Sequence, residues 1–500
     1  MNTRVNKHGR WPFFGLPTVA ILLVLTWNVS PVRAQMFTEV VSFGDSLSDT
    51  GNIYDATSNW FNALVLAFLF PQLDTPYPQS PYYDGRFSNG PVWVEHLSDQ
   101  LGLGAVVPSE LGGFNYAVGG ATTFDDGNVF LNLVLPDDVA DQVDDYLYRR
   151  TISGGELFIV EGGANDLLSG GVTDVNLPVG NLEGFVTDLY DAGGRNFLVP
   201  NLPPLGRIPG EVGGAYQSIL NARSVQFNLE LSNRLDNLVQ TLPGITIHRV
   251  NFHAGLTAVL EDPGTFGLSN VTGQAFNPVT NQVVPNPDQY LFWDNIHPTA
   301  SAHWLLGSLA ADVILNPATC DLDANNTCDL ADVNTMFGQG DLVAGVIVGV
   351  GNPSDLNKDL RVDGTDLDLW LALAATENGY ASPYLRGDTD GLNNLSPVVR
   401  DIDLIDYNSL IINFDSAGLN GPFGWDDGDT DGDGDVDLAD YNALAGNFSA
   451  HGYVATANSV PEPSSGILIL WGLALGTGVV AICRKRVFGR VPASTTGNSR

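Results

Sequence analysis

Between Phe37 and about Asn316 the chain repeatedly switches hydrophobic period, and this restricts its folding more than any other feature. Short apolar, β-branched runs at Thr38 to Phe43, Leu157 to Glu161, Asn196 to Pro200 and Ile245 to Val250 read as strands. Stretches with helical spacing, at Pro136 to Arg150, Leu182 to Asp191, Tyr216 to Leu242 and Thr299 to Leu315, stand between or after them. Successive strands are thus joined by long crossovers, which a parallel pair requires and a hairpin does not. The expected class is α/β, a three-layer parallel sheet flanked by helices, with chemistry collected beyond the C-terminal ends of its strands.

Five hundred residues exceed what one hydrophobic core organises, and 44% hydrophobic content supplies material for more than one. The formal charge of -36, from 57 acids against 21 bases, repels phosphate backbones, so no nucleic-acid partner is expected and cations are favoured. The bias is local: 25 of the acids and four of the bases lie between Ala318 and Ser459. Three cysteines are too few for a disulfide framework, and none has a zinc-ligand spacing. Cys320 and Cys328 are able to pair in an oxidising compartment, whereas Cys483 stands alone beside a basic cluster.

Both ends read as addresses. Arg4, Lys7 and Arg10 precede the apolar stretch Trp11 to Trp27, and Val32-Arg33-Ala34 suits signal peptidase. Residues 1–34 are therefore expected to be a signal peptide, with an uncleaved anchor as the other reading. A linker at 453–465 carries Val460-Pro461-Glu462-Pro463; residues 466–483 are uncharged and long enough to form a transmembrane helix; Arg484-Lys485-Arg486 opens a basic tail, 484–500, expected to stay cytoplasmic. This combination resembles the PEP-CTERM sorting signal of bacterial exported proteins, which implies cleavage by a membrane protease near the motif. An ordinary membrane anchor fits the same residues. Both readings put residues 35–460 outside the cytoplasm, in the cell envelope, at the cell surface or extracellular.

Chemistry concentrates in four blocks of the 35–316 domain. The first strand ends in Phe43-Gly44-Asp45-Ser46-Leu47-Ser48, which sets Ser46 at the sheet edge where a nucleophile belongs. A serine hydroxyl needs a base, and His297 has the carboxylate of Asp294 three residues earlier to orient it. Donors for a negatively charged tetrahedral oxygen are offered by Asn115 to Ala121, with Gly119 and Gly120, and by Gly162-Gly163-Ala164-Asn165-Asp166. Taken singly, each block is an ordinary turn, cap or glycine loop.

Together and in this order, with Arg86-Phe87-Ser88-Asn89-Gly90-Pro91 and the run NLPPLGRIP from Asn201, the blocks resemble the GDSL or SGNH family of serine esterases and lipases. The resemblance implies an SGNH-hydrolase-like fold, with Ser46 as nucleophile, His297 as general base and then acid, and Asp294 as its orienting carboxylate. It implies an oxyanion hole made by the Ser46 N–H, the Gly120 N–H and the Asn165 side chain, with Gly119 as the alternative to Gly120. It also implies cleavage of carboxylic esters through an acyl-enzyme, with no cofactor for catalysis. His248, His253 and His303 read as structural, and the apolar run Trp60 to Phe70 reads as core in preference to a lid.

Between Ala318 and Gly452 a pattern of alternating acids recurs four times. The first copy runs Asp321, Asp323, Asn325, Thr327, Asp329, Asp332; the second Asp355, Asn357, Asp359, Arg361, Asp363, Asp366; the fourth Asp429, Asp431, Asp433, Asp435, Asp437, Asp440. These fill positions 1, 3, 5, 7, 9 and 12 of a calcium loop. The third has Asp388 and Asp390 but reaches Asp401, Asp403 and Asp406 only after an insertion, and the second has Leu360 where such a loop turns at glycine. Aspartate at position 12, with a helix only on the C-terminal side, resembles dockerin repeats. That resemblance implies structural Ca2+, a small, mostly helical C-terminal region arranged as pairs 317–376 and 377–452, and a cohesin-like or envelope partner.

The expected substrate is an ester of a lipid or an acylated carbohydrate, and membrane contact is expected through the C-terminal helix before processing. A polysaccharide O-acetyl esterase attached through dockerin-like modules, and a catalytically inactive, calcium-stabilised surface binding protein, are the alternatives.

Overall fold

A strand buried on both faces is largely apolar, and three of the central runs are: every residue of β1 (Val40–Phe43) and β2 (Leu157–Val160) is buried, as are nearly all of β3 (Asn196–Pro200). With β4 (Thr246–Val250) they form one parallel sheet in the order β1-β2-β3-β4. The structure is a computed structural model describing residues 36–69, 74–124, 138–169, 171–392, 400–449 and 452. The expected segments 1–34, 453–465, 466–483 and 484–500 lie outside the described residues. Among the described residues no helix is long and apolar enough to cross a membrane.

Alternation along the strands sorts side chains between two cores. Val41, Phe43, Phe158, Val160, Phe197 and Val199 face one core, which is closed by α4 (Val139–Arg149), α6 (Asn176–Asp191) and α7 (Gln217–Thr241). Val40, Leu157, Ile159 and Leu198 face the other, closed by α3 (Trp93–Gln100), α8 (Phe252–Glu261) and α9 (Ala300–Leu315). Each fully buried side chain of this kind contributes about 1.5–3 kcal/mol. The outer edge of β1 is covered by the segment around Asn115: the Ser42 N–H donates to Phe114 O (3.0 Å) and the Tyr116 N–H to Ser42 O (2.7 Å).

The helix α6 starts at Asn176, six residues before its expected start. Pro178 lies in its first turn, where N–H groups have no intrahelical acceptor to lose, so proline is accommodated there. The run expected in the core differs more. After α1 (Asn52–Ser58), the helix α2 (Trp60–Leu69) exposes Trp60, Phe61, Leu64 and Phe68, with Trp60 at 77% and Phe68 at 87%. Its sequence is nearly all apolar, so periodicity designates no inward face, and one helix contacts the body along one side only.

Beyond Asn316 the acidic loops are followed by short helices: α10 (Leu330–Phe337), α11 (Gly364–Glu377), α12 (Leu404–Asn413) and α13 (Leu438–Asn447). Trp370 and Trp425 are fully buried in one cluster with Val333, Met336 and Leu371. Their indoles donate to Cys320 O (2.8 Å) and Asp388 O (2.7 Å). Tyr384, Leu392 and Trp425 belong to this same core, so packing crosses the boundary expected between residues 376 and 377. A tryptophan as large as Trp425 ties the later repeats onto α10, and the Leu342 N–H donates to Gly432 O across the same seam (2.9 Å). Cys320, just before the first loop, forms a disulfide with Cys328 within it.

Candidate active site

The turn after β1 is built to present one side chain. Gly44 is clasped by Gln142, whose amide donates to Gly44 O and accepts from Gly44 N–H, both at 2.9 Å. A Cβ on Gly44 would stand 2.4 Å from Glu161 Oε2, so glycine is required by close approach. The chain then turns through Asp45, whose carbonyl accepts from the Ser48 and Asp49 N–H groups. Ser46 is left facing the loop that precedes α9.

In that loop His297 Nε2 lies 2.9 Å from Ser46 Oγ, and His297 Nδ1 lies 2.7 Å from Asp294 Oδ2. Asp294 Oδ1 accepts from the Ile296 and His297 N–H groups, each at 2.8 Å, and Tyr82 Oη–H donates to Oδ2 at 2.7 Å. Burial alone would raise the Asp294 pKa; the neighbouring His297 charge and these hydrogen bonds overcome it and hold the group at about 2. Asp294 therefore stays ionised, Nδ1–H donates to it, and Nε2 is left as the acceptor for the serine proton. Phe87 lies over the imidazole with ring centroids 5.1 Å apart.

The glycine pair resolves by its hydrogen bonds. The Gly119 N–H donates to Asp49 Oδ2 (3.0 Å), while among the described residues neither the Gly120 N–H nor the Ser46 N–H has a protein acceptor. Gly120 has φ of +91°, a left-handed conformation that suits glycine. Burial pushes Asp49 up to about 6 despite the N–H groups of Gly51, Gly119 and Asn52 that it accepts. Asn165 stands beside Ser46 at the start of α5 (Ala164–Leu168), with its Nδ2 donating to Ala121 O (3.0 Å) and Asp45 Oδ2 (3.3 Å). For this amide to serve a tetrahedral oxygen it must exchange one of those bonds, and the longer one, to Asp45, is the weaker.

Three supporting groups were not legible from spacing. Tyr82 joins Asp294 across 212 residues. Glu161 and Asp45 form a buried carboxyl pair next to Ser46; burial pushes Glu161 well above the usual carboxylate range, Asp45 adds to this, and burial raises Asp45 as well. Glu161 Oε2 also accepts from Ser48 Oγ–H (2.7 Å), which in turn accepts from the Trp93 indole (3.0 Å). His303 is buried, with Nδ1 accepting the Trp93 N–H at 3.2 Å, and burial lowers its pKa to about 3. Burial also lowers the His248 and His253 pKa values. Tyr82→Phe removes one donor to an ionised carboxylate and is expected to lower kcat about tenfold with little change in KM, measured by steady-state ester hydrolysis.

An apolar pocket of about 90 Å³ opens beside Ser46 and Asn165. Leu47, Leu205, Ile208, Phe252, Leu256, Phe292, Leu305 and Leu309 are among its walls. Such a lining accepts hydrocarbon and offers little to a hydroxylated sugar.

The acidic loops are shaped by their own backbone. Asp329, Asp363, Asp403 and Asp437, at position 9, cap α10 to α13, and Asp332, Asp366, Asp406 and Asp440, three residues on, accept the N–H of the capping residue. Oxygens of Asp321, Asp323 and Asp332 converge in the first loop, and those of Asp388, Asp390 and Asp406 in the third, which closes despite its insertion. In the fourth, Asp440 shares one group with Asp429 and Asp431 and another with Asp435 and Asp437. Asp435 Oδ1 is buried with no hydrogen-bond partner among the described residues. These all-oxygen clusters fit Ca2+, a hard cation that takes six to eight such ligands.

Backbone N–H groups meet the carboxylates of every loop: Asp321 accepts from Asn325 and Asn326, and Asp429 from Gly432 and Gly434. Asn325 Oδ1 accepts from the Thr327 N–H (2.8 Å), and Asp433 Oδ1 from the Asp435 N–H (3.0 Å). In the second loop Asn357 replaces aspartate at position 3 and donates to Asp359 Oδ2 (3.2 Å), while Asp355 accepts the Asp359 and Leu360 N–H groups. The Arg361 side chain pairs with Glu261, while position 7 of such a loop ordinarily contributes its backbone carbonyl.

The model of the GDSL-like Lipase/Acylhydrolase family matches residues 40–309. A GDSL esterase/lipase of Arabidopsis thaliana is 27% identical over 327 residues, covering 55% of this chain and 89% of that protein. The phosphatidylcholine-sterol acyltransferase of Aeromonas hydrophila is 26% identical over 345 residues, covering 59% and 94%. An acetylxylan esterase structure from Geobacillus stearothermophilus aligns with 56% of this chain and 95% of its own, at 13% identity and a TM-score of 0.30.

Proposed function

This chain belongs to the GDSL-like lipase/acylhydrolase family, and on that premise we propose an exported serine carboxylesterase that takes esters of apolar acyl chains. The observation carrying the reading is the alignment of Ser46 Oγ, His297 and Asp294 within hydrogen-bond reach of one another. His297 Nε2 takes the Ser46 proton as Oγ attacks the ester carbonyl. The oxygen charge that develops is met by the Ser46 and Gly120 N–H groups and by Asn165, each typically supplying about 3 kcal/mol. Collapse releases the alcohol, protonated by the imidazolium, and leaves an acyl group on Oγ. Water, deprotonated by the same imidazole, then attacks that acyl carbonyl and restores the serine.

The apolar pocket favours a lipid or aliphatic ester over a polysaccharide acetyl ester, whose acyl group would leave such walls uncontacted. Ca2+ held by the first, third and fourth loops stabilises the C-terminal region; the dockerin resemblance attaches to those loops a cohesin-like or envelope partner. The basic, apolar N-terminus and the disulfide support export to an oxidising compartment.

A fluorophosphonate probe tests the reading. Covalent modification is expected on the peptide bearing Ser46, identified by mass, with simultaneous loss of ester turnover. Labelling elsewhere, or turnover surviving full modification of Ser46, removes the assignment.

A further inference from the structure

Leu360 occupies position 6 of the second acidic loop, the turn position that calcium loops give to glycine. Its φ is +66°, a conformation unfavourable for a leucine, and the neighbouring Lys358 has φ of +60°. Yet the side chain is only 2% exposed, and it belongs to the hydrolase core formed with Phe252 and Leu309, not to the core of the acidic region. Its backbone is fixed on both sides: the Leu360 N–H donates to Asp355 Oδ2 (2.9 Å), and its carbonyl accepts from Val348 N–H (3.0 Å). Lys358 Nζ is 3.2 Å from Asp312 Oδ2 on α9, with both side chains largely buried, and Arg361 pairs with Glu261 on α8. The loop is therefore docked into the catalytic domain by charge on both flanks of one apolar residue.

That residue lines the pocket that begins at Ser46. The pocket follows α9 from Ala302, five residues after His297, to Leu309, a rise of about 10 Å. A Cβ on Gly255 would stand 3.0 Å from Leu309 and 3.8 Å from Leu360, which places Leu360 at the Leu309 end, away from the nucleophile. We propose that Leu360, delivered by a repeat outside the catalytic domain, closes the far end of the acyl pocket and sets the longest acyl chain the enzyme accepts. The proposal rests on the ester-hydrolase reading above and deepens it. It also accounts for the departure from glycine in the second loop, since glycine would leave the pocket without its end wall.

The test is the ratio of kcat/KM for dodecanoyl to butyryl 4-nitrophenyl esters, measured on the full chain with calcium present. Leu360→Gly suits the left-handed backbone and removes the side chain; Leu360→Ala keeps the original backbone demand and shortens the side chain. Both are expected to raise the ratio at least about tenfold, the effect of a few added methylenes finding an apolar site. An unchanged ratio in either variant that melts cooperatively, or a uniform loss across chain lengths, overturns the role of Leu360 while leaving the serine mechanism intact. Absence of turnover and of Ser46 labelling in the wild type overturns both.

Discussion

Replacing Ser46 with alanine is expected to lower kcat on a short chromogenic ester by about 10⁴- to 10⁶-fold, because nothing else in the pocket supplies a nucleophile with a base already at 2.9 Å. The His297–Asp294 bond does not depend on the serine hydroxyl, and Asp294 keeps its three other donors, so the melting temperature should stay close to wild type. His297→Ala should cost a similar factor. The double variant should lose little more than either single one, since serine and imidazole act as a unit. Turnover and thermal melting, measured on the three variants, check this: additive losses, or an active Ser46→Ala, would contradict the acyl-enzyme path.

The second large effect concerns the acidic loops. In the metal-free protein, burial pushes Asp429 up to about 8 and Asp431 and Asp355 to about 7, with repulsion from neighbouring aspartates adding to each. These values lie above the ordinary carboxylate value of about 4. The folded state therefore binds protons more tightly than the unfolded chain, and the stability this confers is present at low pH and lost as pH rises from about 4 to about 8. Melting of the C-terminal region in chelator is expected to be lower at pH 8 than at pH 5. Calcium favours the ionised carboxylates, so its addition should raise the transition by at least about 10 °C at pH 8 and by much less at pH 5. Calorimetry with and without chelator at both pH values measures this. A calcium-independent transition at pH 8 would dispose of the metal assignment.

Every strand was legible to within two residues; β1 to β3 were so because parallel strands buried on both faces leave near-continuous apolar runs, while β4, at the sheet edge, mixes Thr246, His248 and Arg249 with its apolar residues. Serine, histidine and aspartate were legible because each sits in a local motif. Tyr82, Glu161 and Leu360 were not. A hydroxyl that reaches a carboxylate 212 positions away, or a glutamate that meets Asp45 across 116, leaves no periodic trace in the chain. Trp60 to Phe70 misled for the opposite reason: a helix apolar on every side ordinarily marks a core, yet α2 leaves Trp60, Phe61, Leu64 and Phe68 exposed. At the third acidic loop the insertion obscured a register that folding restores, bringing Asp406 back to Asp388 and Asp390.

The cover on the outer edge of β1 carries one last consequence. An unpaired strand edge is a template on which another molecule can add and aggregation can begin. Here the backbone from Phe114 to Tyr116 occupies that edge and, four residues on, carries Gly120, the proposed oxyanion donor. Colloidal behaviour and transition-state stabilisation thus share one stretch of main chain, and lesions that loosen it should depress solubility and turnover together.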